Sequence, residues 1–338
     1  MSILYHLTIP PPQRPACEAI SQEITALRSR LDGDVVYLNP NRHLPIYVPR
    51  LLFGFHKLRQ LHTFEASVDI HHLYNPDPFP FPILRLLRKP VIYSLTGGVK
   101  GRRINKRFFD SLAAVTVPDQ ESLDYLNRQG LNNVFLVQPG IDTDRFAHTH
   151  LPLRREIRLM VGSAPWTCAQ FKSKGVDALL EAARRIPRLH LVFLWRGVLA
   201  EEMANRVHGM GLVDRVEIIN RIADVNKVLA RVHASAALAA ESDIVRAYPH
   251  SLMESLAAGK PVLVSRPIPM ASYVKEKGCG VVVERVNPAH IIAAVEALEK
   301  SYSDLQTAAE RTGQRDFSQQ RMIDSYKSVY EHVLASEH

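Results

Sequence analysis

The chain predicts an α/β protein of two doubly wound parallel-sheet domains facing across a cleft. Three observations carry this. Short β-branched runs alternate with amphipathic segments from end to end. At 338 residues the chain exceeds the usual size of one core. Pro139-Gly140 closes a strand near the middle, where Pro fixes one direction and Gly permits the next.

The elements of the first half are read in order. Ser2–Leu7 is a strand, Ala16–Leu31 a helix, and Val35–Leu38 and Asp69–Leu73 are strands. Leu84–Arg88 belongs to a helix, Val91–Ser94 is a strand, Ile104–Leu112 a helix, Ala114–Val117 a strand, Glu121–Gln129 a helix and Val134–Val137 a strand. The second half repeats the scheme, with strands Leu159–Gly162, Leu191–Leu194, Val216–Ile219, Ala236–Ala240, Pro261–Ser265 and Gly280–Val283. Its helices are Val176–Arg185, Glu201–Met210, Asp224–Val232, Leu252–Ala258 and Pro288–Glu299. Apolar strands separated by amphipathic helices imply parallel sheets covered on both faces, the Rossmann-like arrangement. The expected domains are residues 1–140, 141–315, and a closing helix in 316–338 that packs back on the first domain.

Charge and cysteine usage narrow the function. The formal charge is +8, and Arg42 to Arg107 holds twelve Lys/Arg against three Asp/Glu, enough to account for the excess. Tyr47–His62, with Arg50, Lys57 and Arg59 among Leu and Phe, reads as a surface helix with an apolar face and a basic rim. Lys100–Arg107 adds Arg102, Arg103, Lys106 and Arg107. The two clusters suit an anionic membrane surface or a polyanionic acceptor, or are simply solvated charge. A nucleic-acid partner is not expected, since neither cluster interleaves aromatics or forms a docking motif. Cys17, Cys168 and Cys279 have no metal spacing and suit a reducing, cytoplasmic setting; a peripheral position at the inner membrane face is compatible with it. There is no apolar leader and no run of membrane-spanning length.

Arg246–Ser265, RAYPHSLMESLAAGKPVLVS, is the most informative stretch. Ser251 is a candidate N-cap, Leu252–Ala258 a helix stopped by Gly259, and Pro261–Ser265 a strand, so Glu254 is expected in the first turn beside unpaired N–H groups. A helix start of this kind receives an anionic ligand. The loop after Gly162 brings Lys172 and Lys174 to the helix that begins near Gly175, and two ammonium groups beside a helix dipole make a diphosphate site.

ESLAAGKPVLVS resembles the nucleotide-sugar signature of retaining GT-B glycosyltransferases of family 4 (glycosyl transferases group 1), E-x7-E followed by a small-residue helix and G-x-P-V. GSAPWTCAQFKSKGVDALLEAARRIPRLHLVFLWRG resembles the family's phosphate-binding strand and helix, VQPGIDTDRF its interdomain segment, and DFSQQRMIDSYKSVYEHVL its closing helix. The resemblance implies retaining transfer of a sugar from a nucleoside-diphosphate donor to a glycan, lipid or small-molecule acceptor, with no cofactor and no metal. It assigns Lys174 and Lys172 to the diphosphate, Glu254 to the ribose, and Ser251, Leu252 and His250 to the donor near the helix start. Arg221 and Ile222, with Asn220, fall on the nucleobase segment, and Thr96, Gly97 and Gly98 on the acceptor side.

The chain also departs from that pattern. Ser163 replaces a phosphate-binding Arg, so Lys172 or another cation supplies the second charge. Arg246 replaces the first Glu of E-x7-E, with Glu241 and Asp243 near enough in sequence to substitute. Thr96 stands near a usual His; either Gly97-Gly98 takes over close approach to the substrate or the site is altered. Ile9-Pro10-Pro11-Pro12 stands for a Gly-Gly loop. A nucleotide-binding protein without transfer, or a nucleotide-sugar epimerase, are the alternatives. Asp142-Thr143-Asp144 and Asp32-Gly33-Asp34 have D-x-D form without a metal-binding context. His71-His72 lacks a third ligand, and one of the pair faces the cleft or packs beside Tyr74. Trp166 is a candidate ligand shield and Trp195 a core residue.

Overall fold

The computed structural model describes residues 1–11, 19–41, 47–99, 102–195, 198–242 and 244–336. Cys17, Lys100 and Asp243, and the expected start of the first helix, lie outside them. The chain divides into two compact units, one of Met1–Gly140 with Gln319–His338 and one of Ile141–Ser318.

In the first unit the order is β1 (Ser2–Leu7), α1 (Ala19–Arg28), β2 (Asp32–Tyr37), α2 (Leu58–Phe64), β3 (Ile70–Asn75), β4 (Val91–Leu95), α3 (Lys106–Phe109), β5 (Ala114–Val117), α4 (Gln120–Arg128) and β6 (Val134–Leu136). Its parallel sheet runs β2-β1-β3-β4-β5-β6. Central strands β3 and β4 are buried at every position, as strands covered on both faces must be. α4 starts where Asp119 accepts from the Ser122 N–H, an N-cap that satisfies one orphan donor.

The second unit contains β7 (Ile157–Val161), α5 (Ala169–Ser173), α6 (Val176–Arg185), β8 (Leu189–Leu194), α7 (Ala200–Gly209), β9 (Val216–Ile219), α8 (Val225–Leu229) and β10 (Ala234–Ala237). It continues with α9 (His250–Ala257), β11 (Val262–Ser265), α10 (Met270–Lys277), β12 (Gly280–Val283), α11 (Pro288–Lys300) and α12 (Tyr302–Asp316). The sheet order is β12-β11-β10-β7-β8-β9, again parallel. α12 crosses α9 so closely that a Cβ on Gly313 would lie 2.0 Å from the Leu256 carbonyl oxygen.

The chain then re-enters the first unit as α13 (Gln319–Ala335). Tyr326 and Tyr330 of α13 are buried in that unit's core. The Tyr330 hydroxyl lies 2.7 Å from His72 Nδ1, and His72 Nε2 lies 2.7 Å from Ser94 Oγ. Ser94 Oγ in turn meets Thr116 Oγ1 at 2.6 Å and the Tyr326 hydroxyl at 3.1 Å. Burial drives the His72 imidazole down to about 3, so it is neutral. His71 is equally buried, and His72 packs on Tyr74 with ring centroids 4.4 Å apart.

Several expectations are corrected. Tyr47–His62 is not one amphipathic helix. Gly54, at φ 87°, takes the left-handed conformation and divides the segment into 3₁₀ turns at Arg50–Leu52 and Phe55–Lys57, ahead of the short α2. The helix expected at Leu84–Arg88 is a 3₁₀ turn, Pro82–Leu86, started by Pro82. The one expected at Ile104–Leu112 contracts to α3, which Asn105 caps. α5, α10 and α12 were not expected. Cys168 is exposed, Cys279 buried, and both are free thiols.

Candidate active site

Each sheet changes winding direction once, and open α/β sheets collect ligands at the carboxyl ends of the strands flanking that point. In the second unit these strands are β7 and β10, followed by Gly162-Ser163 and Leu238–Ala240. The Ala240 N–H donates to Ser173 O at 2.7 Å, and Ser265 Oγ bridges the Ala239 N–H (2.8 Å) and carbonyl (2.9 Å). The ends of β10 and β11 and the end of α5 are thus fixed together.

Gly162 meets the start of α9. A Cβ on it would lie 2.6 Å from Ser251 Cβ, so glycine permits the approach of strand and helix. Lys174 reaches into the same place, with 7% of its surface exposed. Its Nζ donates to Ser163 Oγ at 3.1 Å and to Ala164 O at 2.9 Å. Among the described residues no carboxylate pairs with it, and burial lowers its pKa. A desolvated ammonium held by neutral acceptors beside a helix N-terminus is a place for an anion. Gly175, at φ 68°, caps α6 and turns the chain just after this lysine.

The other expected residues fall as follows. Lys172 is exposed near the end of α5. The N-cap of α9 is Pro249, not Ser251, because the Pro249 carbonyl accepts the N–H groups of Leu252 (3.0 Å) and Met253 (3.2 Å). The Leu252 amide is therefore engaged within the helix, a correction to its expected role. Glu254 lies in the second turn, not the first, and is half-buried, as are His250, Arg246 and Ser251. Arg221 and Ile222 follow β9 at the sheet edge and are exposed. Trp166 is exposed in the loop after β7, its N–H donating to Gln170 Oε1 at 2.7 Å; Trp195 is buried.

In the first unit the corresponding switch falls between β1 and β3, and it holds a polar cluster that the sequence reading missed. Thr8 Oγ1 donates to Asn75 Oδ1 at 2.6 Å. Arg50 donates through Nη1 to Asp77 Oδ2 at 2.8 Å and through Nη2 to Asp77 Oδ1 at 2.5 Å and Asn75 Oδ1 at 3.1 Å. Its guanidinium lies 4.5 Å from the Phe79 ring centroid. Burial opposes ionisation of Asp77, yet Arg50 and Asn75 hold it below the usual carboxylate range. The Thr96 N–H donates to Asn75 O at 3.0 Å, and a Cβ on Gly97 would lie 2.3 Å from Pro76 O. The close approach at Gly97 is thus to the chain's own carbonyl. Gly98 is buried at φ 73°. Arg50 is a partner of Asp77, not an open surface cation, and Lys106 is bound to Asp110 (2.5 Å) and Gly130 O (2.8 Å).

Among the described residues there is no group of three or more His, Cys, Asp or Glu that could hold a metal, and no helix is long and apolar enough to cross a membrane.

Residues 166–316 match the family glycosyl transferases group 1. No curated protein matches the chain. Solved structures of similar fold include a sucrose-phosphate synthase from Thermosynechococcus elongatus, at 14% identity and TM-score 0.72 over 99% of this chain and 100% of that one. Alr3699/HepE from Anabaena, solved with UDP, has 12% identity and TM-score 0.70 over 98% and 100% of the two chains. The lipopolysaccharide outer core galactosyltransferase WaaB has 13% identity and TM-score 0.70 over 100% of each. At such identities these structures speak to the fold, and the family match speaks to the second unit, where Lys174 and α9 lie. Residues 166–316 match the glycosyl transferases group 1 family, and the chain has the fold of the GT-B glycosyltransferases.

Proposed function

We propose that the chain moves a sugar from a nucleoside-diphosphate donor to an acceptor hydroxyl, with retention at the anomeric carbon and without a metal ion. The observation that carries this is the buried Lys174 ammonium, without a carboxylate partner among the described residues, beside the start of α9 at the switch point of the group 1 domain. Alr3699/HepE, of the same fold, has been solved with UDP and with UDP-glucose, which supports a donor of that class.

The bond from the anomeric carbon to the diphosphate oxygen breaks, and one to the acceptor oxygen forms on the same face. Lys174 and the positive end of α9 stabilise the charge that grows on the departing diphosphate, the task a metal performs elsewhere. Ser251, ahead of the engaged Leu252 amide, meets the donor oxygens, and Lys172 supplies a second, solvent-side charge. Glu254 accepts from the ribose hydroxyls. Arg221 and Ile222 stand two strands from β7, about 10 Å across the sheet, a span that suits the base end of a nucleotide. The proton of the acceptor hydroxyl passes to a phosphate oxygen of the donor, so no side-chain base is required. Thr96, Gly97 and Gly98 belong to the acceptor side, and the basic first unit sets the reaction beside an anionic membrane surface on the cytoplasmic face.

Arg246, at the position of a family carboxylate, favours a second reading in which nucleotide binds without transfer. One experiment separates the two. The protein is incubated in EDTA with a panel of nucleoside-diphosphate sugars and a membrane-lipid extract, nucleoside diphosphate release is followed, and the product's anomeric configuration is read by NMR. Release with an inverted product refutes retention, release only on adding magnesium refutes metal independence, and binding without release favours the second reading.

A further inference from the structure

The first unit carries an apolar face with a one-sided charge environment. In the segment Tyr47–Phe55, Tyr47 is 74% exposed, Leu51 54%, Leu52 50% and Phe55 38%. Open side chains of this size in one short segment are an unusual expense for a soluble surface. The segment is held firmly from beneath. Phe53 stacks on Phe81 with centroids 6.3 Å apart, Gly54 is seated against Ile83 and its N–H donates to Leu38 O at 3.1 Å, and Arg50 clamps Asp77. Rigid turns therefore present Leu51, Leu52 and Phe55 outward while their neighbours fill the core.

A second segment continues the face. His62 Nε2 lies 3.0 Å from Leu86 O, which sets α2 beside the Pro82–Leu86 turn, and Leu86 is exposed as well. The same segments carry Lys57 and Arg59 on one and Arg85, Arg88 and Lys89 on the other; all but half-buried Lys57 are exposed, and the Arg85 guanidinium lies 5.6 Å from the Phe108 ring centroid. Neither Tyr47–Phe64 nor Pro82–Pro90 contains an Asp or Glu. The nearby carboxylates are spent internally: Asp77 on Arg50 and Asn75, and buried Glu65 on the Arg88 and Lys89 N–H groups and on His71 at 3.3 Å. What remains outward on these two segments is apolar and cationic.

That combination selects the occupant. Two copies meeting face to face would set cation against cation. A bilayer with anionic head-groups takes up both features, receiving the apolar side chains at the acyl boundary and the cations at the phosphates. We propose that this face docks the chain on an anionic lipid bilayer, with Leu51, Leu52 and Phe55 inserted. Arg50 links the inserted turn to Asn75 and Asp77 at the carboxyl end of β3. Docking therefore brings the acceptor-side strand ends to the head-group layer, and the acceptor is a lipid-borne hydroxyl. This last step rests on the transfer reading above; the docking itself does not.

The test is co-sedimentation of the full chain with vesicles of phosphatidylcholine alone or mixed with phosphatidylglycerol, at low and high salt. Wild type is expected to sediment only with the anionic vesicles, and less at high salt. Leu51→Ser/Leu52→Ser should lower the partition constant at least about tenfold. Lys57→Glu/Arg59→Glu should lower it at least about 25-fold, since each cation is worth about a fivefold factor. Nucleoside-diphosphate binding, measured by calorimetry on the same variants, is expected to be unchanged and reports that they are folded. Equal sedimentation with neutral vesicles, or anionic binding untouched by either pair, overturns the proposal. So does a dimer in sedimentation velocity that the leucine substitutions dissolve, which would make the face a self-association surface. Membrane binding by a chain that transfers no sugar leaves the docking intact and removes only the transfer reading.

Discussion

Replacement of Lys174 by Met should have opposite effects on the empty and the liganded protein. Without ligand, the ammonium is buried with two neutral acceptors, Ser163 Oγ and Ala164 O, and burial already lowers its pKa. The fold bears a desolvation cost for this charge, so an uncharged side chain of similar length should leave the melting temperature unchanged or raised, the loss of two hydrogen bonds offsetting part of the gain. With a diphosphate bound the balance reverses. A unit charge about 4 Å from the ammonium interacts by roughly 4 kcal/mol at an effective dielectric constant near 20, of which solvent and mobile ions remove a part. A loss of about 2–4 kcal/mol, or 30- to 1000-fold in affinity, follows. Calorimetric titration with the tightest-binding nucleoside diphosphate and thermal melting of the same samples give both quantities. A lowered melting temperature together with affinity within about threefold of wild type would refute the reasoning and make Lys174 a strut of the loop after β7.

Gly162→Ala places a Cβ 2.6 Å from Ser251 Cβ; it should cost about 1–3 kcal/mol of stability in urea unfolding, and Ser251→Gly should restore most of it if overpacking is the cause. Glu254→Gln should weaken nucleoside diphosphate by about 1.5–3 kcal/mol while leaving a 2′,3′-dideoxy analogue unaffected; undiminished discrimination in the mutant would remove Glu254 from the ribose. His72 is neutral in the folded state down to about pH 3, whereas its unfolded counterpart gains a proton near 6.5. Between these values the unfolded chain holds the extra proton, so stability falls as pH drops, by up to about 1.4 kcal/mol per pH unit from this residue. His72→Gln should lower the slope of unfolding free energy against pH by about one proton between pH 4 and 6, and an unchanged slope would assign acid sensitivity elsewhere.

The strands were legible because parallel strands covered on both faces become short, mostly apolar runs: Ala114–Val117 and Val262–Ser265, buried at every position, lie where the pattern sets them. The helices missed lack that signature. α12 is largely polar and carries Gly313 inside it, a residue whose meaning appears only where the Leu256 carbonyl comes against it. The reading of Ser251 as a cap followed side-chain preference, but the Pro249 carbonyl takes the amides concerned. Lys174 stood out because the lysine, the following glycine and the helix together fit the family resemblance, and the structure shows it buried. Arg50 was not, since its partner Asp77 lies 27 residues away and reaches it only through the return of β3 beside β1. Gly54 could have been weighed: a glycine in the middle of an apolar-basic run is a poor helix interior and a good left-handed turn.

The first unit is discontinuous in the chain, and this bears on the order in which the molecule comes into being. Tyr326 and Tyr330, which complete the buried network around His72 and Ser94, are synthesised only after the whole of Ile141–Ser318. The second unit is contiguous and holds all its own elements when the ribosome passes Ser318, while the first must wait with one flank of its sheet uncovered. Nascent chains arrested before α13 should therefore expose apolar surface near Tyr5 and Tyr74 and recruit chaperones. Truncation at Ser318, which spares the whole group 1 domain, would damage the half of the protein that lies farther from the cut in sequence.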